Sequence, residues 1–212
     1  MGDDGARPPL RRVGRSAVLL EVDDSPAVYA WHAELRRRRA AGELAAVEIV
    51  PGARTVLVDG VPDAAALIRA LRTWPAPAPP VLNDEAMVTV PTRYDGPDLA
   101  DVARRWGVTT GEAVDLHSAI EFRVAFCGFA PGFAYLTGLP AHLQVPRLDA
   151  PRVQVPAGSV AVAGPYCAVY PNASPGGWRL IGRTDLVLFD LAAAPAARLS
   201  PGTRVMFTPV DG

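Results

Sequence analysis

Apolar residues follow two different periods along this chain. Across residues 16–22 they run almost unbroken, as in a buried strand. From Ser25 the spacing changes, and Val28, Trp31, Ala33 and Leu35 form the inward stripe of a helix. Ser25 offers an N-cap with Pro26 at the first helical position, and Gly42 lies where such a helix stops. Two strands follow at 45–50 and 55–58, joined by Pro51-Gly52-Ala53. Pro62-Asp63 then opens a second helix with Ala66, Leu67, Ala70 and Leu71 on one face. With residues 87–90 as a last strand, the order becomes the split β-α-β of ferredoxin-like domains.

The run Pro75-Ala76-Pro77-Ala78-Pro79-Pro80 is incompatible with a helix and reads as an extended spacer. It divides the chain into lobes at 1–83 and 84–212, with 87–90 able to belong to either. Residues 1–15 read as a loose polar arm. Beyond the spacer, 98–106 forms a short helix ended by Gly107, and Thr110 caps another that runs to His117. From Ile120 onward the pattern is short strands between Gly/Pro turns, at 122–127, 160–163, 168–170, 179–182, 186–189 and 203–207, which is the signature of a barrel. The expected class is therefore α+β, a small ferredoxin-like lobe followed by a β-barrel lobe.

Chemistry concentrates in residues 117–190. Three Pro-Gly segments lie there: Ala130-Pro131-Gly132-Phe133, Val155-Pro156-Ala157-Gly158-Ser159 and Ser174-Pro175-Gly176-Gly177. Pro followed by Gly suits a type II turn, since Pro sets φ at the first corner and Gly tolerates φ > 0 at the second. Phe129, Phe133, Tyr135, Tyr166, Tyr170 and Trp178 crowd these segments, interleaved with Arg147, Arg152, Arg179 and Arg183. Each turn alone is accounted for by barrel hairpins. The whole cluster points to a small-anion pocket, because arginine forks and closely approaching backbone N–H groups both bind carboxylate or phosphate.

The string from His117 through Gly128-Phe129-Ala130-Pro131-Gly132-Phe133-Ala134-Tyr135-Leu136, Pro146-Arg147, Pro151-Arg152, Val155-Pro156-Ala157-Gly158-Ser159, Tyr170-Pro171, Ser174-Pro175-Gly176-Gly177-Trp178 and Ile181-Gly182-Arg183-Thr184 resembles the family of 5-oxoprolinase B subunits. Older labels for that family are allophanate hydrolase subunit 1 and KipI-type kinase inhibitor. Weaker likeness extends over most of the chain. Cys167, where a small polar residue is more usual, and Asp185, where proline is usual, depart from the pattern at the expected pocket rim. The resemblance implies a cyclophilin-like barrel behind the α/β lobe, without carrying prolyl isomerase activity. It further implies a component of an ATP-dependent 5-oxoprolinase that works with a paired C-type subunit (allophanate hydrolase subunit 2-like) and with a separate A-type subunit.

For that activity, ATP phosphorylates the lactam oxygen and turns it into a leaving group, so the site needs phosphate donors, a carboxylate clamp and a dry pocket. Arg183 is the first choice for the clamp. Ser159 and Ser174 offer hydroxyl donors. Gly158, Tyr170, Gly176, Gly177, Trp178 and Thr184 complete the candidate anion and substrate site. His117 is either an acid–base group or a helix-end histidine bonded to the last carbonyls. Magnesium arrives on the phosphates, and ATP is shared with a partner chain. Two other readings stay open: a component of a urea-carboxylase-like amide-processing complex, and a non-catalytic inhibitor of a sensor histidine kinase.

Composition narrows these choices. With 212 residues, half of them apolar, the chain builds a core without disulfides. A net charge of −1 gives no reason to expect nucleic acid or an anionic membrane. Cys127 and Cys167 lack metal-ligand spacing, and three scattered histidines make no metal site. No charged leader and no apolar run of membrane-spanning length is present, which points to the cytoplasm. All 21 basic residues are arginine. That excludes a Gly-Lys-Ser/Thr P-loop, Schiff-base chemistry, a Ser-Ser-Lys amidase centre and a biotinylated lysine within this chain. The arginines at 36–39 read as a solvated helix end that complements the dipole, and His32 one turn earlier has no visible partner.

Overall fold

A computed structural model describes residues 8–78 and 87–211. The chain splits into two compact units, Met1–Asn83 and Asp84–Gly212. The expected spacer lies partly outside the described residues; residues 75–78 carry no regular structure.

The first unit contains β1 (Leu10–Val13), β2 (Ala17–Glu21), α1 (Ser25–Ala40), β3 (Glu48–Pro51), β4 (Thr55–Asp59) and α2 (Ala64–Thr73). Its antiparallel sheet has the order β1-β2-β4-β3. That is the ferredoxin-like order with one substitution: the edge position beside β2 is filled by Leu10–Val13, within the segment expected to be a loose arm, and not by residues 87–90. A tight turn at Gly14, with φ of 59°, folds β1 back onto β2. Asp24, one residue earlier than expected, caps α1 by accepting from Ala27 N at 2.9 Å, and Asp63 caps α2 likewise. The buried stripe of α1 is Val28, Ala30, Trp31 and Leu35; Ala33 faces solvent. The basic end of α1 is tied down locally. Arg37 and Arg38 bind Glu34, and Arg38 also lies 3.9 Å over the Trp74 ring. His32 is half-buried beside Ile49, and burial first, then Arg36, holds its pKa below the ordinary value.

The second unit contains β5 (Val88–Thr92), α3 (Leu99–Trp106), α4 (Thr110–Ser118), β6 (Phe122–Cys127), β7 (Ala134–Thr137), β8 (Arg152–Val155), β9 (Ser159–Ala163), β10 (Tyr166–Val169), β11 (Ser174–Gly176), β12 (Arg179–Arg183) and β13 (Arg204–Pro209). Gly107, at φ of 73°, ends α3, and α4 starts from a capping box between Thr109 and Glu112. Seven strands form one sheet in the order β12-β9-β10-β7-β6-β13-β5. β5 pairs parallel with β13, so residues 87–90 belong to this unit. Residues 186–189, expected to be a strand, form none; only Phe189 bridges to Ala197.

The two edges of the sheet meet just past β5. Arg93 exchanges both backbone hydrogen bonds with Arg183 at 2.8–2.9 Å, which nearly closes the sheet into a barrel. Such an approach leaves no room for side chains: a Cβ on Gly182 would sit 2.4 Å from Arg93 O, and one on Gly96 2.4 Å from Leu180 O. Alternation along β9, β10 and β12 then separates two cores. Val160, Val162, Cys167, Val169 and Ile181 join Phe122 and Phe207 in one cluster. Ala161, Ala163, Ala168, Tyr170 and Leu180, from the opposite face, join Phe133 and Trp178 in another. The second cluster floors a cleft.

Candidate functional site

A cleft of about 420 Å³ opens over that second face. Phe129, Phe133, Tyr135, Tyr166, Tyr170 and Trp178 line it, with Pro146, Arg147, Ala163, Gly164, Pro165, Pro175 and Gly176 around them. The aromatic rings brace one another. Phe133 stands edge-on to Tyr170 at 5.3 Å and to Trp178 at 5.7 Å, and Tyr135 contacts Trp178 at 5.6 Å and Tyr166 at 5.6 Å. Sequence reasoning noted these rings but selected only Tyr170 and Trp178.

Two of the three Pro-Gly segments turn as expected. Phe133 N donates to Ala130 O at 3.0 Å around Pro131-Gly132, where Gly132 has φ of 81°. Ser159 N donates to Pro156 O around Gly158, whose φ is 78°. The third segment is a short strand instead, β11 against β8, with a bulge between Ser174 and Gly176. At the lip of the cleft, Phe129 is 63% exposed with φ of 70°, an unusual conformation for a bulky residue.

The arginines divide by what neutralises them. Arg152 grips both Asp98 oxygens at 2.7–2.8 Å, and Asp98 also accepts from Leu180 N. Engaged in this pair, Asp98 makes no side-chain cap for α3. Arg179 pairs with Asp101 and donates from Nε to Pro146 O at 3.0 Å. Arg183 pairs with Asp95 at 2.8 Å. Arg147 makes no ion pair or hydrogen bond with a described residue. It is exposed at the cleft, its Nε close to Gly177, and its charge reaches Tyr135 and Tyr170.

Burial raises the pKa of Tyr135, Tyr166 and Tyr170, with Arg147 pulling the first and last back, so all three remain neutral hydroxyls at neutral pH. No carboxylate, serine, histidine or cysteine is among the lining residues. Such a set binds an anion and an aromatic-facing ring but supplies no nucleophile or general base. It also does not fit magnesium-bound ATP: one unpaired cation faces a triphosphate, and no carboxylate is present for the metal.

Several expected site residues lie elsewhere. His117, in the last turn of α4, is fully buried against the inward face of the sheet. Its Nδ1 is 2.8 Å from the Tyr94 hydroxyl and its Nε2 3.4 Å from Cys167 Sγ, with Phe122 and Phe207 against the ring. Burial pushes its pKa down to about 3, so the imidazole is neutral at neutral pH and lies in the core, away from the cleft. Cys167, expected at the rim, belongs to that same core. The Ser159 hydroxyl is occupied by Pro156 O at 2.8 Å. A Cβ on Gly158 would meet Thr184 O at 2.2 Å, so Gly158 serves chain packing, and Thr184 N donates to Gly158 O. Arg183 and Thr184 line a separate hollow of about 320 Å³ with Arg93 and Asp185. Gly176 lies in the cleft; its hydrogen is needed because a Cβ there would press on the Tyr170 hydroxyl at 2.4 Å. Gly177 O accepts from Leu148 N at 2.7 Å behind the cleft wall. The Ser174 hydroxyl is buried without a hydrogen-bond partner.

Known proteins resemble the chain over nearly its whole length. The family model for the carboxyltransferase domain, subdomain C and D, matches residues 8–199. The B subunit of 5-oxoprolinase from Escherichia coli O157:H7 is 40% identical over 205 residues, covering 93% of this chain and 94% of that protein. The solved structure of TTHA0988 superposes with a TM-score of 0.76 at 31% identity, covering 96% of this chain but 41% of that one. The urea amidolyase of K. lactis shares the fold, with a TM-score of 0.74 at 20% identity over 15% of its length.

Proposed function

The chain belongs to the carboxyltransferase subdomain C and D family, and from that premise we propose that it is the B subunit of a multi-chain 5-oxoprolinase. The observation that carries this reading is near-complete mutual coverage with a B subunit of 5-oxoprolinase at 40% identity. The cleft is consistent with it: an aromatic trough beside one free cation suits a small cyclic amide bearing a carboxylate. Since the trough offers no nucleophile and no triphosphate site, this chain binds and orients the lactam in a water-poor setting, and ATP and its magnesium sit on a partner chain. The partners are a paired C-type chain and an A-type chain of the same complex. The likeness to the urea amidolyase is one of fold and does not favour urea as substrate. Among the described residues no helix is long and apolar enough to cross a membrane, and we place the work of the complex in the cytoplasm.

The test is to assay ATP-coupled glutamate formation from 5-oxoproline with this chain alone, with its paired C-type chain, and with all components. Turnover by the full mixture that vanishes when this chain is omitted supports the reading. Undiminished turnover in its absence, or robust turnover by this chain alone, overturns it.

A further inference from the structure

We propose that Arg147 is the carboxylate-binding and specificity-determining residue of the aromatic cleft, which selects a neutral lactam ring carrying one carboxylate. The inference rests on the reading of the cleft as a substrate site and deepens it.

Of the four arginines between residues 147 and 183, Arg152, Arg179 and Arg183 are committed to Asp98, Asp101 and Asp95. The fourth, Arg147, makes no ion pair or side-chain hydrogen bond with a described residue and lies exposed at the cleft. Its backbone, by contrast, is held on both sides. Gly164 N donates to Val145 O at 2.7 Å, Arg179 Nε to Pro146 O at 3.0 Å, and Leu148 N to Gly177 O at 2.7 Å. An unpaired cation on a fixed base can bind a ligand at little ordering cost beyond its own rotamers. Tyr135 and Tyr166 hydroxyls also make no hydrogen bond with a described residue, which leaves two neutral donors beside one cation. Planar guanidinium pairs with a carboxylate through two parallel N–H donors.

The lining also dictates what is refused. With no carboxylate present, a protonated amine has no counter-ion there. Proline and glutamate both carry an ammonium, whereas the nitrogen of 5-oxoproline is a neutral amide. Ring opening therefore adds to the ligand an ammonium, which the Arg147 cation repels, and a second carboxylate, for which the lining offers no second guanidinium. Product release follows from the same charge arrangement that binds substrate.

Calorimetric titration of the full chain with 5-oxoproline, 2-pyrrolidinone, L-proline and L-glutamate tests this, with KM for 5-oxoproline in the reconstituted complex as a second readout. We expect 5-oxoproline to bind at least about tenfold more tightly than the other three. Arg147→Gln should weaken it about ten- to hundred-fold, the range for one lost charged contact, and remove the preference over 2-pyrrolidinone. Arg147→Lys should recover only part, because an ammonium lacks the planar fork. Arg198→Gln, a residue that lines neither hollow, should leave binding unchanged. Unaltered affinity in Arg147→Gln, or equal binding of the neutral lactam by the parent chain, overturns the inference while the 5-oxoprolinase role stands. No binding of 5-oxoproline by chain or complex overturns it too. Selective, Arg147-dependent binding by a chain whose omission leaves turnover intact sinks the 5-oxoprolinase role and keeps the inference.

Discussion

Two hollows on the C-terminal unit are edged by arginine, and they differ in what already neutralises the charge. In the smaller one, Arg183 binds Asp95 at 2.8 Å and Arg93 approaches Asp185 at 3.8 Å. In the aromatic cleft, Arg147 makes no ion pair with a described residue and lines the cavity together with six aromatic rings. A guanidinium whose charge is already neutralised by a carboxylate presents little net field to an anionic ligand, even where the pair itself adds little stability. An unpaired guanidinium lining the cleft keeps its charge for a ligand. The number of arginines near a pocket is thus a poor guide to its anion affinity; the local surplus of charge is a better one.

The largest test of this contrast removes the hidden pair behind the cleft. Asp98→Asn strands Arg152, which also donates to Trp178 O, and weakens the hold on Leu180 N. We expect a loss of about 3 kcal/mol in urea-induced unfolding, the low end for a broken buried pair because Arg152 keeps some solvent. An unchanged midpoint would mean that the cleft wall does not depend on this pair.

Acidification probes the polar core beneath both hollows. His117 contacts Tyr94, which sits between Arg93 and Asp95, and Cys167, which follows Tyr166 of the cleft. Its pKa is about 3 in the folded chain against 6.5 ordinarily, so the unfolded chain binds more protons between those values. Stability is therefore complete above about pH 6.5 and declines as pH falls towards 3, by at most about 1.4 kcal/mol per pH unit from this group. His32, also lowered, titrates in the same sense. Stability measured from pH 7 to 4.5 should fall less steeply in His117→Gln than in the parent chain, and identical slopes would refute the buried neutral imidazole.

Smaller effects are expected at the lip. Phe129→Gly relieves a left-handed conformation that costs a side-chain-bearing residue about 1–2 kcal/mol, against the loss of ring contacts with Phe133 and Tyr170. Its unfolding free energy should stay within about 1 kcal/mol of the parent while 5-oxoproline affinity falls several-fold, by calorimetry. A large gain in stability with intact affinity would separate Phe129 from the cleft's work. Smallest of all, Arg183→Ala should shift stability by less than about 1 kcal/mol, since the side chain is 58% exposed and its backbone seam remains. A greater loss would show that the smaller hollow's pair holds the barrel closed.

Local chemistry was legible in the amino-acid sequence. Helix periodicity, the stop at Gly107, the type II turn at Pro131-Gly132 and the short strands from 122 onward all depend on residues within a few positions of one another, and propensities act at that range. The absence of lysine excluded whole classes of mechanism without any coordinates. Pairing across long separations was not legible. Residues 10–13, half of them arginine, read locally as part of a polar arm and 87–90 suit either sheet; only the assembled ladders gave the first the ferredoxin-like edge and the second the barrel. Arg147 follows Pro146 and Arg183 follows Gly182, and neither setting says in sequence which guanidinium ends up unpaired. Which of them is free depends on where Asp95, Asp98 and Asp101 come to rest, and that is decided by the fold: Asp98 meets a partner 54 positions away, and Asp101 one 78 away. His117 and Tyr166 likewise belong to one motif block, yet the alternation of side chains across β10 puts the histidine's partner Cys167 in the core and Tyr166 in the cleft.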